Sequence, residues 1–152
     1  MKKLFALILT VYLLATMSVT AFAANTTGGK ADITTSIAPT YTVTIPADVN
    51  VAFNATETAF GTVEVTASQI HPDKCIKVAL ATDKELNNAI DNTKVIPYAI
   101  KDSEGAEFTS ATYLTEGDKT ELSIHITAND WNAAYAGDYS DTVTFTVSYE
   151  DK

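Results

Sequence analysis

Few side chains in this sequence could serve as the histidine base or the thiol of a nucleophilic mechanism. Catalysis by serine or cysteine needs a histidine within hydrogen-bond reach, and the chain offers only His71, His125 and the single thiol Cys75. His71 precedes a proline in a predicted turn, and His125 falls on the polar face of a predicted strand. No G-x-S-x-G, H-E-x-x-H, paired-cysteine or glycine-rich phosphate motif is present. Two carboxylates could still meet in space as glycoside hydrolysis requires, but no pair stands out. We therefore expect a non-enzymatic protein without a cofactor.

Acidic residues near the C-terminus form the one pattern that suggests a metal. Asp130, Asp138 and Asp141 flank the same predicted connection, and calcium binds where several oxygen ligands converge on one loop. Their spacing matches no known calcium loop, because Trp131 and three further residues follow Asp130 where alternating acids would be needed. The sequence favours solvated turn acids and no metal site.

Two aromatic residues in the same connection are candidate contacts for a ligand or a protein partner. Exposed Trp131 and Tyr135 could stack on sugars or anchor another chain. The alternative is that Trp131 covers one end of a hydrophobic core, since its large apolar area is costly to leave in water. We favour packing and keep the binding role open.

Charge excludes two classes of partner. The chain has 10 basic residues, 19 acidic residues and a formal net charge of −9, and every basic residue is lysine. Nucleic acids and anionic membrane surfaces are recognised by clustered lysine and arginine. The sequence therefore predicts no nucleic-acid partner and no attraction to an anionic bilayer.

The N-terminus predicts export. Lys2 and Lys3 precede an apolar run over residues 4–15, and Ala21-Phe22-Ala23 has the pattern of a cleavage site. We interpret residues 1–23 as a signal peptide, residues 24–31 as a flexible leader and residues 32–152 as one folded domain. The expected location is secreted or extracellular, with association with the cell surface possible and no stable membrane insertion after cleavage. Cys75 is alone and forms no internal disulfide, so it is either an intermolecular bridge or, as we prefer, a thiol without a role.

Alternation of apolar and polar residues dominates the rest of the chain and predicts β-strands. The clearest runs cover residues 41–45, 62–66, 76–80, 121–126 and 142–149, with weaker candidates over residues 33–37, 49–53, 96–100 and 108–114. Pro97 places its strand at a sheet edge because proline lacks the donor that a ladder needs. Only residues 83–92 suggest one or two turns of helix. The pattern predicts an all-β protein, an antiparallel immunoglobulin-like β-sandwich of about eight strands.

Three residues before and within the last strand have predicted structural roles. Gly137 allows a sharp turn into the strand. Tyr139 can fold its ring onto the core while its hydroxyl binds nearby backbone, as in a tyrosine corner. Phe145 lies on the face shared by Val143 and Val147, which we expect to be buried.

The C-terminal third and one upstream run carry a resemblance to known families. The run Gly137-Asp138-Tyr139-Ser140-Asp141-Thr142-Val143-Thr144, together with residues 122–134, resembles the ending of small secreted β-sandwich surface proteins of Gram-positive gut bacteria. A similar ending occurs in the spore-coat U and pilin-like sandwich families. Residues 41–47 resemble the opening strand of the same Gram-positive group. The resemblance implies a pilin-like surface module, with a structural, adhesive or fimbrial role.

These observations lead to one expected function and one alternative. We expect a secreted, non-enzymatic β-sandwich that acts at the cell surface as a structural, adhesive or fimbrial-type subunit, with other surface proteins or glycans as partners. The alternative is a small secreted carbohydrate-binding module that uses Trp131 and Tyr135. A monomer is expected, and self-assembly by strand addition is the minority hypothesis because exposed strand edges are more often blocked than used.

Overall fold

A computed structural model describes residues 30–152 of the chain, and the boundary between two units of the chain lies between Ser36 and Ile37. The predicted signal peptide, residues 1–23, and the leader up to residue 29 lie outside the described residues. In the first unit, residues 30–36 have no regular secondary structure, and Ile33 is 98% exposed. The strand predicted over residues 33–37 is therefore wrong. The segment has isoleucine at both ends and polar residues between them, but it forms no strand.

Apart from one short helix, the regular secondary structure of the second unit consists of strands, which confirms the predicted all-β class. Its elements are β1 (Thr40–Thr44), β2 (Glu57–Gln69), β3 (Lys74–Ala81), β4 (Glu85–Asn88), β5 (Val95–Pro97), β6 (Ala99–Asp102), β7 (Ser110–Tyr113), β8 (Lys119–His125), α1 (Ala128–Ala133), β9 (Tyr139–Ser140) and β10 (Thr144–Asp151). Within residues 30–152 no helix has the length and apolar character needed to cross a bilayer.

The strands form three antiparallel sheets, consistent with a β-sandwich. One sheet has the order β1-β2-β8-β6, a second has the order β10-β3-β7, and a small third sheet has the order β5-β4-β9. The rings of Phe60 in β2 and Phe145 in β10 lie 6.0 Å apart, so side chains of the first two sheets meet between them. Strands β1 and β10 are each at the end of a sheet, and this arrangement matters for function below.

The core contains the apolar faces that alternation predicted for β2, β3 and β8. Seven side chains are almost completely inaccessible to water: Ile76, Ile96, Ile100, Ile126, Val63, Val65 and Val78. Leu122 and Ile124 of β8 are also buried, and Ser123 and His125 on its other face are only half-buried. The outer strands are less covered, since Val147 of β10 remains 38% exposed.

Two further weak predictions are wrong and another is only partly right. Residues 49–53 form no strand, and residues 83–92, predicted as helical turns, contain strand β4 instead. Pairing of β4 with β5 and β9 overrides the weak helical periodicity there. The predicted strand over 96–100 is split between β5 and β6 at Tyr98. Pro97 does lie on an edge strand, because β5 is the end of its sheet.

A bulge in β2 directs one aromatic side chain between the sheets. Register against β8 shifts between Ala59 and Gly61, so Phe60 is the extra residue that has no partner in the ladder. Gly61 has φ of +136°, and a Cβ there would lie 3.1 Å from Pro46 Cβ. Glycine is therefore needed at this position, and the bulge lets Phe60 meet Phe145.

Candidate functional site

One concavity of the described residues is a cleft with a volume of about 730 Å³. It lies between the irregular segment that follows β1, residues 45–53, and the segment that precedes and begins β10, residues 137–145. Its floor includes the buried side chains Ile96, Tyr98 and Ile124 of the core. We call this concavity the cleft.

Aromatic rings dominate the apolar part of the cleft. The six aromatic residues that line it are Phe53, Phe60, Tyr98, Trp131, Tyr139 and Phe145. Phe53 at the mouth is 76% exposed, whereas Tyr98 at the floor is buried. A volume of this size with aromatic walls falls within the range of sites that hold small molecules.

Trp131 is fixed in place by two contacts with the segment after β1. It lies on the short helix α1, where Thr127 caps the N-terminus by accepting the N–H of Asp130. The indole N–H of Trp131 donates to the carbonyl of Ala55 at 2.8 Å, and its ring meets Phe53 edge-on at 5.6 Å. Trp131 thus packs against the core, partly buried, and presents one side to the cleft. Trp131 therefore has the predicted packing role and also offers one side of its ring to a molecule in the cleft.

Tyr135 has a different environment from Trp131. It is 62% exposed, lies outside the cleft lining, and has Lys94 Nζ 5.0 Å from its ring centroid. Trp131 and Tyr135 therefore do not form one continuous surface, because only Trp131 lines the cleft. Tyr135 also receives the side chain of Tyr139, whose hydroxyl donates to the Tyr135 carbonyl at 3.0 Å and accepts the Tyr135 N–H at 3.2 Å. Tyr139 packs against the core, so it has the arrangement of a tyrosine corner.

Gly137 lies where the backbone passes close to a buried amide. Its φ is +148°, and a Cβ added there would lie 2.6 Å from Nδ2 of Asn88. Asn88 is buried, and its Oδ1 accepts the N–H groups of Ile90 and Asp91. The glycine thus allows β9 to pair with β4 next to Asn88, whose side chain stabilises the turn that follows β4.

Asp141 joins three parts of the chain at one wall of the cleft. Its Oδ2 accepts hydrogen bonds from the hydroxyls of Tyr98 and Thr82, the latter at 2.8 Å, and its Oδ1 accepts the N–H of Thr142 at 2.6 Å. Thr82 Oγ1 in turn accepts the N–H of Lys84 at 2.9 Å. One carboxylate therefore ties the approach to β10 to the β3–β4 turn and to the junction of β5 and β6.

The protonation behaviour of this network follows from its contacts. Burial acts to raise the pKa of Asp141, but the hydrogen bonds from Tyr98, Thr82 and the Thr142 N–H outweigh it and lower the pKa below the ordinary value of 3.8. Burial first, and then the bond to Asp141, raises the pKa of Tyr98 well above its ordinary value of 10.0. At neutral pH the tyrosine is the donor and the carboxylate is ionised.

A pH dependence of stability is the expected result of this network. Because the pKa of Asp141 is lowered on folding, its contribution is complete above the unfolded value and is lost as the pH falls through the folded value. We expect Asp141→Asn to have a lower melting temperature than the wild type at pH ~7 and a smaller loss of melting temperature between pH ~5 and ~2. Thermal unfolding over this range, with Asp48→Asn as the control, measures the effect. An equal loss of melting temperature on acidification in the wild type and in Asp141→Asn would contradict this expectation.

The residues considered for catalysis, His71, His125 and Cys75, do not line the cleft. His125 Nε2 lies 2.9 Å from Ser123 Oγ and 4.0 Å from Glu57 Oε1, so both neighbours approach the same nitrogen, whereas a triad needs the acid at the other. His71 lies in an exposed turn beside Asp73. Cys75 is buried in β3, which leaves no accessible thiol for an intermolecular bridge.

The three aspartates considered as calcium ligands make different contacts in the structure. Asp130 lies in the first turn of α1, where the capping residue Thr127 accepts its N–H. Asp141 accepts the hydrogen bonds described above, and the carbonyl of Asp138 accepts the N–H of Ala89. Across residues 30–152 no group of three or more histidine, cysteine or acidic side chains is arranged to hold a metal ion.

Sequence reasoning missed most of the cleft. Phe53, Phe60 and Tyr98 had not been singled out, and Asp141 had been considered only as a calcium ligand. The signal available in the sequence is Gly61 directly before a predicted strand, because a glycine within a strand often marks a bulge.

Comparison with known proteins adds no family assignment. No protein-family model matches the sequence, and no curated protein is significantly similar to it. The fold class thus comes from the structure.

Proposed function

We propose that this protein is an exported, non-enzymatic β-sandwich that acts at the cell surface as a structural, adhesive or fimbrial-type subunit. The predicted signal peptide over residues 1–23 supports export, and the resemblance to secreted surface proteins and pilin-like families supports the role. The observation that carries the proposal is a lateral side of the sandwich at which two strand edges have no partner within residues 30–152.

This open side is formed by the outer edges of β1 and β10. Each strand is the last of its sheet, and Tyr41 of β1 stacks on Tyr149 of β10 with ring centroids 5.8 Å apart. Val147 is on the same face of β10 as the half-buried Phe145 and Tyr149, yet it is 38% exposed because no neighbouring strand covers it. Unpaired backbone groups beside an uncovered apolar side chain are what strand addition by another chain requires.

A candidate for the added strand exists in the chain itself. Residues 33–37 alternate isoleucine with polar side chains, and both isoleucines are exposed. Such a segment has the period of a strand with one apolar face. Its pairing with the open side of a second copy is the assembly form of the proposal, and pairing of that side with a different surface protein is the adhesive form.

Self-association at high concentration is the expected result for the assembly form. We expect the chain that begins at Ala24 to be monomeric when dilute and to form multimers as its concentration rises, as measured by size-exclusion chromatography with light scattering. Val147→Lys should suppress the multimers, because lysine on an edge strand opposes pairing. Leu114→Lys is the matched control, since Leu114 is 44% exposed and follows β7 at the opposite edge of the same sheet.

A shortened chain identifies the added strand. A chain that begins at Pro39 should remain folded and lose the multimers if residues 33–37 are the segment that pairs. Multimers that persist in the shortened chain would exclude that segment. A chain that stays monomeric at every concentration would overturn the assembly form.

Carbohydrate binding through Trp131 and Tyr135 remains the alternative. It has less support, because the indole N–H of Trp131 is occupied by Ala55 and Tyr135 lies outside the cleft. A glycan that quenches the fluorescence of Trp131 would favour this alternative.

A further inference from the structure

We propose that the cleft binds a small organic cation, a primary amine that carries an aromatic or branched aliphatic body. The proposal does not depend on the proposed function, since it concerns the cleft and not the open side. It combines the shape of the cleft, the aromatic character of its walls and the sign of the charge around it.

The walls match an apolar body of limited size. Phe53 and Trp131 meet edge-on at one wall, while Phe60 and Phe145 meet at 6.0 Å between the sheets. Phe53 is left 76% exposed at the mouth, so a bound ring would cover an aromatic surface that now faces water. The volume of about 730 Å³ accommodates a molecule of one or two rings.

The charge around the cleft is of one sign. Three aspartates, Asp48, Asp138 and Asp141, belong to its lining, and the lining contains no lysine and no histidine. Within residues 30–152 none of the three forms an ion pair with a basic side chain. Elsewhere on the described surface, four lysines form ion pairs with acidic side chains. The aspartates of the cleft differ in having no such partner.

The two features select the same class of ligand. An ammonium group gains from carboxylates and from the faces of aromatic rings, and both effects grow when water is excluded. A carboxylate ligand would meet only negative charge, and a neutral ligand would gain the apolar contact alone. Of the three classes, the cation is the one that both the acidic and the aromatic residues of the lining favour.

Three probes of the same shape and different charge test the proposal. They are 2-phenylethylamine, which is cationic at neutral pH, 2-phenylethanol, which is neutral, and 3-phenylpropionate, which is anionic. Binding is measured by titration calorimetry and by the fluorescence of Trp131, which is the single tryptophan and lines the cleft. We expect saturable binding of the amine, with an affinity about tenfold higher than that of the alcohol, and no binding of the anion.

Variants locate the bound cation. The double variant Asp48→Asn, Asp138→Asn should reduce the preference for the amine over the alcohol several-fold and leave binding of the alcohol unchanged. Both aspartates are exposed, so the fold should tolerate the changes. Phe53→Ala should weaken the amine and the alcohol alike, because it removes a wall and no charge. Glu104→Gln, an exposed acid elsewhere, is the control and should change nothing.

Several results would overturn the proposal. Equal affinity for the three probes would show apolar adsorption only, and preference for the anion would reverse the charge argument. A chain that binds no amine up to millimolar concentrations but binds a peptide of residues 30–38 would assign the cleft to self-assembly. A response of Trp131 to neutral oligosaccharides but not to the amine would assign it to carbohydrate.

Discussion

Replacement of Gly137 by alanine is expected to destabilise the protein by about 3 kcal/mol. Two costs combine at this position. A φ of +148° is strained for a residue with a side chain, and the new Cβ would lie 2.6 Å from Nδ2 of the buried Asn88. Urea unfolding followed by tryptophan fluorescence measures the change in free energy.

A matched glycine separates the two costs. Gly117 has φ of +89°, but nothing lies within 4 Å of the Cβ that alanine would place there. Gly117→Ala should therefore show the backbone cost alone and be less damaging, by about 1–3 kcal/mol, than Gly137→Ala. In a double-mutant cycle, Asn88→Ala should reduce the additional cost of Gly137→Ala, since it removes the atom that clashes. Equal effects of the two single glycine variants would mean that the close approach to Asn88 is unimportant.

Replacement of Phe145 by alanine is the second large expected effect. Phe145 is half-buried, meets Phe60 across the two sheets and lines the cleft. Removal of a fully buried phenylalanine costs roughly 3–5 kcal/mol, so the partial exposure of Phe145 predicts about 2–3 kcal/mol. Thr144→Ala, exposed on the other face of β10, should cost far less. Comparable losses in the two variants, measured by urea unfolding, would mean that the face assignment is wrong.

Alternation predicted the central parts of the long strands because it indicates a face that is buried there. Strands β2, β3 and β8 lie inside their sheets, and the central side chains of their apolar faces are buried, namely Val63, Val65, Ile76, Val78, Leu122 and Ile124. The same reasoning identified β10 and its inward face but overstated its burial. Val147 shows the reason, since the side chain points inward and no neighbouring strand covers it.

Short elements were less predictable because other elements decide them. Residues 85–88 have weak helical spacing, yet pairing with β5 and β9 makes them strand β4. Residues 33–37 and 49–53 have strand-like composition but no ladder partner in the described chain. Sequence periodicity carries no information about whether a partner edge is available.

The cleft could be predicted only in part. Trp131, Tyr139 and Phe145 were identified from their types and positions, and all three line it. Phe60 depends on a bulge and Tyr98 on a split strand, and both are features of strand register that a single sequence does not determine. Asp141 is recognisable as an anchor only when Tyr98 and Thr82, distant in sequence, lie beside it.

A retention assay on the producing cells tests the central claim most directly. Labelled protein that begins at Ala24 is added to these cells, washed and quantified for the wild type, Val147→Lys and Leu114→Lys. If the open side of β1 and β10 is the surface that another chain binds, the wild type and Leu114→Lys are retained alike and Val147→Lys is retained several-fold less. Equal retention of all three folded proteins, or no retention of the wild type, would contradict the claim that the protein acts at the cell surface through its open side.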